Sequence, residues 1–563
     1  MFRPIFVLAI LTASSLVDAD DLRFASVFTN HAVLQRDIPV PVWGTAKPNT
    51  RVVVEFAARE QATTSDGNGA WLVKLDPMPA SAKPRTLTVS SGDDRVTLND
   101  VLVGEVWLAS GQSNMGLAIS RATGGMEAIA NVNLPRFRMF RVKQRPSFEH
   151  QANVQGEWMV CSTDTFATDA SGRVRRFDFS AVGFFFGRNL LETLDVPIGV
   201  IGSYVGGSPL EAWTSEATLD AYPMSNPTNR QSRTETWKRL YSMRRARKDL
   251  PQAMQRHAKE LAAWEKELAD RNAAHRADLA AYAKAVKAAR TANRPLPARP
   301  LPGKLSRRPL EPDRYPHHAT VLFNGMLEPL IPYGIRGVIW YQGEANCYPR
   351  RAAEYGELFP MMITDWRQRW GQAPFPFLYV QLPNLSTARD DWMTLRESQR
   401  RTLSLPGTGM VTAIDIGDPN DLHPANKQPV ADRLALLARN IAYNERIVSV
   451  GPMIESATRS HDRTIRLTFK HVSSGLMTGT VTNGFRATPT NGPLGGFETA
   501  GRDHVFHPAD ATIVGNTVIL RAAEQAGDPV TVRYAWAPNP VPAANLYNRE
   551  GLPASPFAIA VSD

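Results

Sequence analysis

Three short runs, far apart in the chain, hold the side chain types that acyl transfer requires. They are Gly111-Gln112-Ser113-Asn114-Met115, Trp340-Tyr341-Gln342-Gly343-Glu344-Ala345-Asn346 and Asp421-Leu422-His423-Pro424. Attack on an ester carbonyl needs a nucleophile, a base to take its proton, and donors for the oxyanion. Ser113 directly follows the apolar run Val106-Trp107-Leu108-Ala109-Ser110. A β-prone run ending in a glycine turn is how α/β enzymes lift one side chain above a sheet edge. Ser113 is the candidate nucleophile, with its own backbone N–H facing the oxyanion, and His423 is the candidate base. A lone strand-end serine ordinarily satisfies turn backbone, and a lone loop histidine is ordinarily structural. The pairing is what gives each its weight.

Further donors are needed. Gly206-Gly207 follows a strand-like run, and Gly207 offers a backbone N–H that can approach a substrate closely, with a plain loop as the alternative. Gln342 or Asn346 is expected to supply a third donor, while Glu344 reads as a residue locking that turn rather than as an acid. A third group should orient His423. Asp421 is preferred, with Asp418 or a backbone carbonyl as alternatives, because position 420, three residues before the histidine, is Asn420. Trp213 and Glu211 stand just beyond Gly207 and either line a sugar-binding wall or lie buried. No zinc-binding spacing occurs, and Gly202 to Gly207 lacks the lysine of a nucleotide loop. No metal and no cofactor are expected.

Positioning such groups requires a frame. Residues 101–225 and 311–447 alternate strand-like and helical stretches, the pattern of a largely parallel sheet covered on both faces. Strand-like runs fall at 104–109, 137–142, 197–204, 335–341, 376–382 and 409–415, with helical stretches at 180–194, 317–330, 354–370, 393–404 and 427–443. In such sheets chemistry sits beyond the carboxyl ends of the strands. Residues 20–100 read as an N-terminal β-sandwich and 448–563 as a C-terminal β domain. Residues 226–310 interrupt the alternation as a helical insertion. Its apolar stripe is Met254, Leu261, Trp264, Leu268, Leu279, Tyr282 and Val286, closed by a Pro-rich stretch.

The net charge of +10 is concentrated in that insertion, which carries 21 Lys and Arg against 7 Asp and Glu. The rest of the chain is net acidic, which argues against a nucleic-acid partner; the insertion reads as a solvated basic helix or a contact for anionic polymers. Arg3, the apolar run Ile5 to Leu11 and Val17-Asp18-Ala19 predict a signal peptide over 1–19. The apolar run is too short to span a bilayer, so an exported protein, periplasmic or secreted, is expected. Two cysteines, Cys161 and Cys347, make no disulfide framework, and no bridge is expected.

Taken together, the three runs resemble the blocks of the sialate O-acetylesterase family within the SGNH hydrolases. Val33-Leu34-Gln35-Arg36 and Asn545-Leu546-Tyr547-Asn548-Arg549-Glu550-Gly551-Leu552-Pro553 resemble that family's flanking β regions. The likeness extends over nearly the whole chain. It implies an α/β fold: a three-layer SGNH (flavodoxin-like) core with a parallel sheet, split between 101–225 and 311–447. It also implies metal-independent removal of O-acetyl groups from sugars through a serine acyl-enzyme. By the same likeness Ser113 is the nucleophile, His423 the base, and Gly207 with the Gln342 to Asn346 block the oxyanion hole. Asn420 departs from the wider superfamily, where an aspartate is usual, and leaves the third catalytic member open. The expected partner is an acetylated saccharide, whether sialic acid or a plant polysaccharide such as xylan or xyloglucan. The competing reading is a non-catalytic carbohydrate-binding protein with a vestigial core; a third is an esterase for lipid or short-chain acyl groups.

Overall fold

The computed structural model describes residues 22–169, 174, 177–222, 234–388, 391–460 and 463–563. The stretch expected to be a signal peptide, 1–19, lies outside the described residues.

Seven strands make the central sheet: β1 (Asp94–Gly111), β2 (Asn133–Arg141), β3 (Trp158–Ser162), β4 (Ile198–Tyr204), β5 (Gly337–Tyr341), β6 (Phe377–Val380) and β7 (Thr408–Val411). They lie in the order β3-β2-β4-β1-β5-β6-β7. All neighbours are parallel except β3 on β2. The five strands β4-β1-β5-β6-β7 keep the 2-1-3-4-5 order of flavodoxin-like sheets, and β2 with β3 extends one edge. After β1 the chain builds β2, β3 and β4 on one side of it and then crosses to build β5, β6 and β7 on the other, so the sheet's switch point lies at the end of β1.

Successive side chains of a strand point to opposite faces, and here both faces are covered. Trp107, Ala109, Ile339, Tyr341, Leu378 and Val380 pack beneath α1 (Ala181–Leu194) and α6 (Gln428–Ile441). Val106, Leu108, Val338, Trp340, Phe377 and Tyr379 face α4 (Arg351–Trp370) and α5 (Asp391–Arg401). On that side Trp340 meets Trp213 and Trp366 edge-on, at 6.1 and 5.8 Å between ring centroids. Edge-to-face packing of large rings fixes strand and helix rigidly, directly beneath the turn that follows β5.

The break expected between residues 100 and 101 is not there. β1 is one 18-residue strand that begins among the N-terminal strands, pairing with Ser81–Ser91 and Val33–Gln35, and ends in the central sheet. Continuous backbone pairing overrides the composition shift that suggested a boundary. Of the stretch 317–330, expected to be helical, residues 321–330 are helical, though irregularly so: a π-helical turn over Phe323–Leu327 tightens into a 3-10 turn over Glu328–Leu330, where Pro329 supplies no N–H to continue an α-helix. Residues after 448 form three small sheets around their own core of Ile465, Leu467, Phe497, Val518, Leu520 and Phe557. Arg396 of α5 ties that region to the catalytic body, donating to the carbonyls of Leu382, Pro383, Ala537 and Pro538.

The insertion consists of α2 (Glu235–Lys248), the 42-residue α3 (Leu250–Thr291) and an extended return. α2 buries Leu240 and Met243 against the body. Along α3 only His257 is buried, and the half-buried stripe from Leu261 to Val286 is covered by the return segment. There Trp264 Nε1 donates to the Ser306 carbonyl at 2.9 Å and Arg308 lies over the Trp264 ring. Met254 falls off the stripe and is exposed. Neither cysteine forms a disulfide and both are buried; Cys161 sits in β3, where burial pushes its thiol up to about 12.

Candidate active site

Ser113 opens a one-turn helix, Ser113–Gly116, immediately beyond β1. As the first helical residue its N–H has no acceptor within the helix. The turn demands glycine at 111, where φ is +134° and an added Cβ would stand 2.2 Å from the Tyr341 carbonyl oxygen. Three bonds fix it. Gln112 N–H donates to Tyr341 O at 3.0 Å, Val205 N–H to Gly111 O at 3.2 Å, and Ser180 Oγ donates to Met115 O at 2.5 Å. Ser180 is also the N-cap of α1, accepting from Gly183 N–H, so one hydroxyl caps a helix and anchors the serine's turn.

His423 stands on the loop between β7 and α6. Its Nε2 lies 2.8 Å from Ser113 Oγ, across 310 positions of sequence. This is hydrogen-bond distance for a base and the hydroxyl it deprotonates. Asp421 Oδ1 accepts the backbone N–H of His423 at 2.8 Å, holding the loop rather than the ring. Among the described residues no hydrogen bond is made to His423 Nδ1. Asp418 accepts the N–H of Asn420, closing the same loop one step earlier.

Burial is the first cause that lowers the His423 pKa below its usual 6.5; Lys427 and Arg121 lower it further, while Asp421 opposes them. A base with a depressed pKa is neutral, and so competent, at neutral pH. Activity as kcat/KM should accordingly fall only on acidification, with a midpoint below 6.5, in a pH–rate profile on a soluble acetate ester. A midpoint above 6.5 would contradict this assignment of the environment.

Asn114, next to the serine, joins all three runs. Its Nδ2 donates to Glu344 Oε1 and, at 3.0 Å, to Leu422 O, while its Oδ1 accepts from Lys427 Nζ at 2.6 Å. Burial drives Lys427 down to about 7 and raises Glu344 above the ordinary carboxyl range. Glu344 thus locks its turn, as its sequence context suggested, and its Oε2 is buried without a partner.

The expected third oxyanion donors are placed elsewhere. Gln342 and Asn346 are fully buried beneath the site. Gln342 Nε2 donates to Ser208 O and Asn346 Oδ1, at 3.2 and 2.8 Å, and its Oε1 accepts from Tyr355. Asn346 Nδ2 donates to Glu211 at 2.9 Å, and its Oδ1 also accepts from Leu210 N–H. Both amides are spent inside the protein, so neither reaches an oxyanion. Gln112 is the amide that lines the cleft. Its Oε1 accepts from Ala345 N–H at 3.2 Å, which turns the Nε2 outward as an unspent donor. Nothing in the sequence distinguished it, since an amide beside a nucleophile looks like turn filler.

Gly207 lines the cleft as expected, at φ +68°, with His317 packed against it. Trp213 does not line it. The ring is wholly buried, and its Nε1 donates to Ser208 Oγ at 2.8 Å. Glu211 is buried too. Burial alone would raise its pKa, but Arg351 and Arg239 hold it below the usual value, with guanidinium nitrogens 3.4 and 3.2 Å away.

The cleft encloses about 770 Å³. Arg239 and Ser242 of α2 line it, as do Tyr315, His317 and His318, which follow the insertion. Tyr348 and Arg351 complete the rim, with the guanidinium 5.5 Å from the Tyr348 ring centroid. The insertion was read as a solvated basic helix or a contact for anionic polymers; its first helix, α2, lines the cleft. Among the described residues no cluster of His, Cys, Asp or Glu is placed to hold a metal ion, and no helix is long and apolar enough to cross a membrane.

Comparison with known proteins gives consistent matches. A family described as carbohydrate esterase, sialic acid-specific acetylesterase matches residues 322–435. A carbohydrate acetylesterase from Xanthomonas citri, of solved structure, is 33% identical, with a TM-score of 0.71 over 95% of this chain and 99% of that one. The mouse sialate O-acetylesterase is 28% identical over 99% of this chain and 98% of its own. The human sialate O-acetylesterase is 26% identical, covering 96% and 93%.

Proposed function

Because the chain belongs to the sialate O-acetylesterase family and is a carboxylic ester hydrolase of acetylated carbohydrates, we propose that it works through a serine acyl-enzyme built from Ser113 and His423. The observation that carries this reading is the 2.8 Å contact between Ser113 Oγ and His423 Nε2 at the sheet's switch point.

In the first half-reaction Nε2 takes the hydroxyl proton as Oγ bonds to the acetyl carbonyl carbon. The oxyanion is received by the N–H groups of Ser113 and Gly207 and by Gln112 Nε2. Collapse breaks the carbon–oxygen bond to the sugar, whose oxygen takes the proton from Nε2. Water then gives its proton to Nε2 and attacks the acetyl-enzyme, and Ser113 recovers its proton as acetate leaves. Asp421 acts on this sequence through the loop it closes and through its charge, which favours the imidazolium formed in both halves. No step uses a metal or a cofactor.

The substrate is read as an acetylated saccharide outside the cytoplasm, with residues 1–19 as its export signal. Tyr315 and Tyr348, nearly half exposed on either side of the cleft, are suited to pyranose faces. Acetate release measured across O-acetylated sialic acid, xylan and xyloglucan identifies the sugar. On chromogenic esters the acetyl group should be the best acyl group, with rates falling toward butyryl. Rates that rise with acyl length, together with no release from any saccharide, would overturn the reading in favour of a lipid-type esterase.

A further inference from the structure

The second half of the insertion, the end of α3 and the return from it, has a composition unlike the rest of the molecule. From Leu279 to Leu310 there are eight basic residues, Lys284, Lys287, Arg290, Arg294, Arg299, Lys304, Arg307 and Arg308, and no acidic one. All eight are exposed, and none forms an ion pair among the described residues. At the root of the arm, by contrast, Arg244 and Arg247 are matched with Glu216. Three of the leucines among these charges, Leu296, Leu301 and Leu310, are 54, 85 and 66% exposed. They are the most exposed leucines of the described chain, held out by a Pro-rich segment that cannot fold back into a helix.

α3 spans about 60 Å at 1.5 Å per residue. The return segment comes back along it, with Ser306 and Arg308 beside Trp264, so the residues from Lys284 to Lys304 are the ones carried out toward its free end. The root of the same insertion lines the cleft through Arg239 and Ser242.

We propose that this second half of the insertion docks the enzyme on an anionic lipid surface. The unmatched lysines and arginines are attracted to acidic headgroups, and the leucines enter the boundary between headgroups and acyl chains. The leucines decide between partners of the same charge. A hydrated polyanion such as an acidic polysaccharide satisfies the basic residues but offers no apolar layer, leaving Leu296 and Leu301 in water.

The test is sedimentation of the full chain with phosphatidylcholine vesicles, with and without phosphatidylglycerol. The protein should sediment with the phosphatidylglycerol vesicles at low salt, stay in solution with phosphatidylcholine alone, and be released as ionic strength rises. The variant Arg294→Ser/Arg299→Ser/Lys304→Ser/Arg307→Ser should lose at least about tenfold in vesicle affinity. A second variant, Leu296→Ser/Leu301→Ser/Leu310→Ser, should also bind more weakly although its charge is unchanged. Both should hydrolyse a soluble acetate ester at the parental rate, which separates docking from catalysis and reports correct folding. The proposal is overturned if the parent ignores phosphatidylglycerol vesicles, or binds polygalacturonate but no vesicle. Vesicle binding unaffected by the leucine substitutions overturns it as well, because it would leave only charge attraction.

Discussion

Ser113→Ala should lower kcat on a soluble acetate ester by about 10⁴-fold or more, equivalent to about 5.5 kcal/mol of lost transition-state stabilisation. The size follows from what is removed. Without Oγ no acetyl-enzyme can form, and the reaction is left with water positioned by the Gly207, Ser113 and Gln112 donors. KM should change little, because those donors and the aromatic rim are untouched. The substitution removes one oxygen from a half-buried side chain whose turn is held by Gly111, Gln112 and Met115, so the fold should persist with an unchanged melting temperature. Steady-state kinetics with a thermal scan check both halves. A variant retaining a tenth of parental activity would remove Ser113 from the mechanism.

His423→Ala should cost about 10³-fold or more in kcat, since proton removal from Oγ and its return to the leaving oxygen both pass through Nε2. The acidic limb of the pH–rate profile should vanish with the imidazole. Residual activity should instead rise with hydroxide. The double variant is the sharper measurement. Two groups that act as one unit are far from additive, so Ser113→Ala/His423→Ala should be no slower than Ser113→Ala alone. Multiplying losses would mean that the two side chains serve separate steps, against the shared contact at 2.8 Å.

How far the site is legible in the sequence depends on which partner decides a residue's role. Ser113 and His423 can be read because their setting is local: a strand, a glycine turn, a loop before a helix. Gly207 is legible for the same reason. Gln342 and Asn346 mislead because an amide at a strand end looks alike whether it faces a ligand or the interior. Here Ser208 and Glu211, more than 130 positions away, and Tyr355 on the following helix turn both amides inward. Gln112 takes the open position only because Ala345 N–H, some 230 residues on, fixes its oxygen.

The frame shows a similar division. The parallel sheet is legible because strands buried on both faces are continuous apolar runs. The boundary at 100 fails because pairing carries β1 through it without pause. The insertion's polar composition hides that its Arg239 and Ser242 line the cleft. Polar residues on a catalytic rim and on a solvated helix have the same average character, and only tertiary docking through Leu240 and Met243 separates them.

The account rests on one hydroxyl made nucleophilic by one imidazole. Labelling with a fluorophosphonate, followed by peptide mapping, tests that directly. The account predicts a single adduct on Ser113, absent in Ser113→Ala and formed far more slowly in His423→Ala. A fully active enzyme that takes up no label, or carries it on a different serine, would contradict it.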